Sequence, residues 1–143
     1  MSRAHVSDPI RRHPLVAAVA GLNALSAGVG AVGLATGWLD LDPAATARLP
    51  WGSPVFGGAA LATIVALPNA VLAVAALRRD PGCGRLSIGV GVVLVGWIVV
   101  ELAVIREVSF FHPLYAAIGV LQVWLGARVV HDSSRATRPS LLR

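Results

Sequence analysis

The chain has 143 residues, and its composition excludes an ordinary soluble domain. Hydrophobic residues make up 56% of the chain and charged residues only 13%, whereas about a quarter of a soluble domain is charged. The formal net charge of +5 comes from arginine, since the sequence contains no lysine. Because the arginines flank apolar stretches, anionic lipid head groups explain them better than nucleic acid does.

Four apolar stretches divide the sequence, and each is long enough to form a membrane-spanning helix. A helix needs about 20 apolar residues to cross roughly 30 Å of hydrocarbon. The charged residues within these stretches are Glu101 and Arg128. Because the stretches do not alternate apolar and polar residues as barrel strands do, we predict an all-α fold, a four-transmembrane-helix bundle. The predicted spans are residues 15–39, 54–77, 86–105 and 113–130.

The distribution of the arginines predicts how this bundle is oriented. Ten of the twelve lie in the N-terminal tail, in the connection at residues 78–85 and at the C-terminal end. Positive residues concentrate on the cytoplasmic side of membrane proteins. We therefore predict that the N-terminus and the C-terminus are both cytoplasmic, in a bacterial-type inner cell membrane. The predicted organisation is a basic tail at 1–14, a transmembrane domain at 15–130 and a second basic tail at 131–143.

Small residues are frequent in the spans and predict close helix packing. The first span contains Gly33 and Gly37 in a GxxxG spacing, and the third repeats Gly89, Gly96 and Ala103 every seven positions. Small residues let helix backbones approach each other in lipid. We expect these positions to pack within one compact bundle, or alternatively between copies of the chain.

Three amide side chains lie at one predicted depth in the membrane. Asn23, Asn69 and Gln122 each lie eight residues from the cytoplasmic end of a span, which at 1.5 Å per residue is about 12 Å. Each lies on a face of small residues, so we predict a polar layer with Trp97 close enough to donate its indole N–H. Such a layer is explained by interhelical hydrogen bonds, worth about 0.6 kcal/mol each, or by a polar cavity for a substrate or ion.

A proline next to this layer predicts a local break in the second span. Pro68 directly precedes Asn69 and has no backbone N–H to donate. A backbone carbonyl near Ile64 then needs another partner, because lipid supplies none.

Glu101 is the only carboxylate within a predicted span. An acid at the centre of a spanning helix costs about 2.5–3.5 kcal/mol on insertion scales, and less near the end, where Glu101 lies. It is therefore either a structural carboxylate near the outer surface or an acid that binds a proton or cation. Possible partners on the outer face are Arg48, Arg106, His112 and Tyr115.

Residues typical of soluble enzymes are absent from the sequence. We find no catalytic triad, no paired carboxylates and no phosphate-binding loop. His13 and His131 both fall at the predicted inner interface, but they lack the spacing of a metal or haem motif. The single cysteine, Cys83, excludes an internal disulfide. We therefore predict no enzyme, no catalytic residue, no metal site and no cofactor.

Part of the C-terminal third resembles a pattern in small four-helix bacterial membrane proteins and is similar to DoxX-like proteins. The residues that carry it are Gly96–Glu101 (GWIVVE), Arg106, Ser109–Tyr115 (SFFHPLY) and Gly119. The resemblance implies the four-helix layout and draws attention to Glu101, Arg106 and Pro113. It implies no activity, since that group shares none, and the lack of a cysteine pair separates this chain from its redox members.

The function that these features favour is that of a small integral membrane protein acting through helix–helix contacts, as a subunit or accessory of a membrane assembly. The alternative is a small oligomeric transporter or channel that uses Glu101 and the Asn/Gln layer. A third hypothesis is a membrane protein that binds quinone or haem. The expected partners are anionic lipids on the cytoplasmic side and either copies of the chain or a larger membrane complex.

Overall fold

The computed structural model describes residues 13–106 and 108–136, and within these ranges the chain forms helices and no strand. Most of the predicted tail at 1–14, and the last seven residues of the tail predicted at 131–143, lie outside the described residues. The helices are α1 (Pro14–Thr36), the short α2 (Pro43–Arg48), α3 (Pro54–Leu77), α4 (Cys83–Ile105) and α5 (Phe111–Ala136).

The four long helices are long and apolar enough to cross a membrane, which confirms the predicted all-α layout. Two of their C-terminal ends differ from the prediction. α1 stops at Thr36 instead of residue 39, because Gly37 adopts the left-handed conformation (φ 72°) that ends a helix. α5 runs on to Ala136 instead of stopping at residue 130, because no glycine or proline interrupts residues 131–136.

The long helices associate as two pairs, α1 with α3 and α4 with α5. The first pair is closest at Gly58 of α3, where an added Cβ atom would lie 2.6 Å from the carbonyl oxygen of Ala31 in α1. Beside this contact, the side chain of Leu61 in α3 packs on Gly30 of α1, where a Cβ atom would lie 3.2 Å from the leucine methyl group. The first pair is therefore held by backbone contact at one glycine and by side-chain packing beside it.

The second pair has a longer contact, which we call the glycine seam. An added Cβ atom on Gly91 would lie 2.5 Å from the carbonyl oxygen of Gly119, and one on Gly126 would lie 2.5 Å from that of Gly84. Real Cβ atoms do not approach an oxygen so closely, so a side chain at these positions would separate the helices. The four glycines therefore set the distance between the α4 and α5 backbones.

The sequence predicted that the small residues of α1 and α4 pack within the bundle. For those of α4 this prediction is wrong. Gly89, Gly96 and Ala103 are exposed, and no neighbouring atom lies within 4 Å of a Cβ built on either glycine. Gly33 packs against Leu39 of the following connection, and Gly37 ends the helix, so the GxxxG spacing serves the end of α1. Seven-residue spacing occurs on two faces of α4, and the buried face is the one with Gly84 and Gly91.

The buried core consists of two apolar clusters stacked along the bundle. Leu125 and Val129 of α5 pack on the cluster that includes the start of α1, so both ends of the described chain lie at one end of the bundle. We call this end the terminal end. The terminal cluster consists of Val16, Ala20, Leu72, Ala76, Cys83 and Val90. The distal cluster consists of Ala27, Val65 and Leu94.

The glycine seam predicts a sharp difference between two alanine variants of α4. Gly91→Ala should lower the free energy of unfolding by about 1–3 kcal/mol, because its Cβ would collide with the Gly119 carbonyl. Gly96→Ala meets open space and should raise the free energy of unfolding by about 0.5–1 kcal/mol, since alanine is the better helix former. Unfolding by SDS in mixed micelles measures both, and equal effects would contradict the seam.

Candidate functional site

Asn69 and Gln122 meet directly in the core, between the two apolar clusters. Each side chain is 1% exposed, and Gln122 Nε2 donates a hydrogen bond of 2.6 Å to Asn69 Oδ1. The residues one turn from Asn69 belong to different clusters: Leu72 lies in the terminal cluster and Val65 in the distal one. The structure thus brings two of the three predicted amides together. Their bond connects α3 of the first helix pair to α5 of the second.

Asn69 also satisfies the backbone of its own helix. Within α3, Ala62–Ala66 forms a π-helical segment, and the Leu67 N–H donates to the Ala62 carbonyl. Asn69 Nδ2 donates to the carbonyl of Val65 at 2.8 Å. The break predicted near Pro68 thus falls at this π-helical segment, and the carbonyl that Asn69 contacts is that of Val65. Whether the Ile64 carbonyl is freed stays a prediction.

Ser87 of α4 is a further member of this polar layer that the sequence analysis missed. It is fully buried, and its Oγ donates to the backbone carbonyl of Gln122 at 2.8 Å. It lies between Gly84 and Gly91 of the glycine seam, where the two backbones are close enough for such a bond. The glycine spacing around Ser87 was the signal that could have found it.

Asn23 occupies the same layer without joining the network. It is 2% exposed and lies between Ala20 of the terminal cluster and Ala27 of the distal cluster. Neither Oδ1 nor Nδ2 of Asn23 has a hydrogen-bond partner within residues 13–106 and 108–136, and the same holds for Gln122 Oε1. A buried polar group without a partner costs about 1–3 kcal/mol. Asn23 thus lies at the depth of the Asn69–Gln122 pair, but its side-chain amide makes no hydrogen bond within the described residues.

The polar layer is enclosed by apolar side chains on both sides. Leu72 on the terminal side and Leu94 and Val65 on the distal side are all at most 1% exposed. The Trp97 ring packs against the distal cluster. Its N–H has no hydrogen-bond partner within residues 13–106 and 108–136, so the predicted donation to the amide layer is not made there.

Glu101 lies apart from the amide layer, half-buried near the distal end of α4. One turn before it is Trp97, and His112 lies at the start of α5, at the same end of the bundle. The His112 ring accepts a hydrogen bond from the Ser109 backbone N–H at 3.0 Å, so the histidine is oriented by its own connection. The hydrogen bonds of the His112 ring within the described residues are to Ser109, so its pairing with Glu101 stays a prediction.

The other predicted partners have bonds elsewhere. The Tyr115 hydroxyl pairs with Ser26 Oγ of α1 at 2.9 Å, which links α5 to α1. The Arg48 guanidinium donates to the carbonyl of Ile105, so the connection after α1 reaches over the end of α4. Arg106 adopts the left-handed conformation (φ 56°) that ends α4. In the bonds described here, these three residues connect helices or end them.

No metal-binding group forms among the described side chains, where no three His, Cys, Asp or Glu residues are suitably close together. No protein-family model, curated protein or solved structure matches the chain. The resemblance of the C-terminal third to DoxX-like proteins therefore stays a prediction.

The amide layer predicts opposite outcomes for two matched truncations. Asn69→Ala should lower the free energy of unfolding by about 1–3 kcal/mol, because Gln122 Nε2 loses its partner and the bond to the Val65 carbonyl is lost. Asn23→Ala should leave it unchanged or raise it, because the lost amide has no partner in the described chain. SDS titration of both variants measures the difference, and a greater loss for Asn23→Ala would contradict this assignment.

Proposed function

We propose that this chain is a small polytopic protein of a bacterial-type inner membrane that acts as a subunit or accessory of a membrane assembly through helix–helix contacts. Its four candidate spans support a multi-pass arrangement. The observation that carries the assembly role is the outward face of α4, where a seven-residue repeat of small residues is exposed and no described helix lies against its two glycines.

This outward face consists of Gly89, Gly96 and Ala103, all exposed. The buried face of the same helix shows what such spacing does in this protein, because Gly84 and Gly91 bring a neighbouring backbone into contact. Lipid gives helices no hydrophobic reason to associate, so small residues and close packing stabilise contacts between them. The outward face therefore suits a further helix, and the proposed assembly role assigns that helix to another protein.

A transporter or channel, the alternative considered from the sequence, has less support. The amide layer lies between two apolar clusters, and a hydrogen bond joins its central pair, Asn69 and Gln122. A pathway through one copy would have to separate these clusters. Glu101 lies outside this layer, so the two polar features form no continuous route among the described residues.

We also propose that the terminal end of the bundle faces the cytoplasm. Arg78, Arg79 and Arg85 belong to the connection at this end, whereas Arg48 and Arg106 belong to the opposite connections. The bias agrees with the concentration of positive residues on the cytoplasmic side. Even a small number of arginines beside a span strongly affects its orientation.

A reporter enzyme fused after Arg143 tests this orientation. We expect activity from a reporter that works in the cytoplasm and none from one that needs export. A second fusion within α2, in the opposite connection, should give the reverse result. Export of the C-terminal reporter would contradict the proposed orientation.

Gly96→Leu tests the assembly role. The tagged wild-type chain should co-purify with a partner in fixed stoichiometry from native membranes. The leucine would fill the open face of α4, and we expect roughly tenfold less partner, the equivalent of about 1.4 kcal/mol. Gly28→Leu is a matched control on α1, since a Cβ built on Gly28 also has no neighbour within 4 Å.

Two results would contradict the assembly role. One is a wild-type chain that always purifies alone as a closed homo-oligomer. The other is partner recovery that falls equally in Gly96→Leu and Gly28→Leu, since the loss would then not depend on the α4 face. A folding control, the circular dichroism of each purified variant, should match that of the wild type.

A further inference from the structure

An aromatic residue and three basic or titratable residues form one stripe on α5. Trp124, Arg128, His131 and Arg135 follow each other at spacings of four, three and four residues, so they lie on one face of the helix. The predicted span ends at residue 130, between the second and third members of the stripe. The stripe therefore crosses the level at which α5 leaves the apolar region, at the terminal end of the bundle.

The first two members of this stripe are in direct contact. The guanidinium carbon of Arg128 lies 4.0 Å from the centroid of the Trp124 ring, and Trp124 is 48% exposed. A guanidinium stacked on an aromatic face keeps the N–H groups at its edge available. The stacking also restricts the long side chain, so less conformational entropy is lost when those groups bind an anion.

A shallow groove of about 540 Å³ lies along this face of the helix. Its two ends differ chemically. Towards the apolar region it is bounded by an indole ring and a methyl group, and towards the terminal end by charged and titratable side chains. The lining residues are Trp124, Ala127, Arg128, His131 and Asp132.

The groove lining carries one arginine, Arg128, and one carboxylate, Asp132. Arg135, one turn beyond His131 on the stripe, adds a second positive charge outside the lining, which favours an anionic ligand. The planar guanidinium presents paired N–H donors that match the oxygens of a phosphate. A free phosphate would use only the charged end of the groove, whereas a phospholipid would place its phosphate there and its glycerol and upper acyl chain beside Trp124.

We propose that this groove binds the head group of an anionic phospholipid, in the leaflet at the terminal end of the bundle. Arg128 holds the phosphate, and Trp124 holds Arg128 and contacts the lipid below it. The site rests on the proposed membrane location, and it deepens the assembly role by naming a lipid partner for α5. In the cytoplasmic leaflet, anionic lipids are the ones that such a basic stripe would meet.

Quenching of Trp124 by brominated lipid tests the proposal. The chain is reconstituted in phosphatidylcholine vesicles that contain a small fraction of either brominated phosphatidylglycerol or brominated phosphatidylcholine. The Trp124 signal is the difference between the wild type and Trp124→Phe. We expect roughly fivefold enrichment of the brominated phosphatidylglycerol at Trp124 over the brominated phosphatidylcholine, the ratio for one arginine contact with an anionic lipid.

Two arginine variants separate the site from general attraction. Arg128→Gln should abolish the enrichment, whereas Arg85→Gln removes an exposed arginine from the same end of the bundle and should leave it intact. Arg128→Lys keeps the charge but not the planar donors, and we expect an intermediate enrichment. Equal quenching by the two lipids, or equal losses in Arg128→Gln and Arg85→Gln, would overturn the lipid site.

Two controls identify the source of a negative or altered result. Inorganic phosphate added to vesicles without phosphatidylglycerol should not change Trp124 fluorescence, and a change that needs Arg128 would mean that the groove binds a free anion instead. Flotation of the vesicles checks insertion. A chain that floats with them and shows equal quenching refutes the lipid site alone, whereas a chain that does not float refutes the proposed membrane location as well.

Discussion

The contact between the α4 and α5 backbones is the constraint on which the rest of the core depends. Because Gly91 and Gly119 let the helices touch, Ser87 can reach the Gln122 carbonyl, and Gln122 is held where its amide meets Asn69. Asn69 in turn supports the π-helical segment of α3. One close approach in the second helix pair thus organises the polar layer and, through it, the irregular part of the first pair.

The number of helices and the depth of the amides could be predicted, whereas their partners could not. Length and hydropathy define a span, and counting residues from its end defines a depth, so Asn69 and Gln122 were expected at one level. Which side chains meet depends on how each helix is rotated. The small residues of α4 occur on two faces, and hydropathy does not distinguish the face with Gly91 from the face with Gly96.

The same limit explains the outcome for the outer residues. Tyr115 and Arg48 were expected near Glu101 because they share its end of the bundle. In the structure Tyr115 bonds to Ser26, and Arg48 bonds to a backbone carbonyl. Both bonds depend on how the helices and connections are arranged in space. Pro68 was more informative, because a missing N–H has local consequences that do not depend on how the helices are arranged.

The π-helical segment of α3 also limits how this chain can change in length. A turn with i→i+5 bonding holds one more residue than an α-helical turn, and each residue rotates an α-helix by about 100°. Deleting one residue from Ala62–Ala66 would restore a regular helix, but it would turn Gly58 away from Ala31 relative to Asn69. Related sequences should therefore tolerate substitutions in this segment far better than a one-residue deletion, unless a second change restores the register.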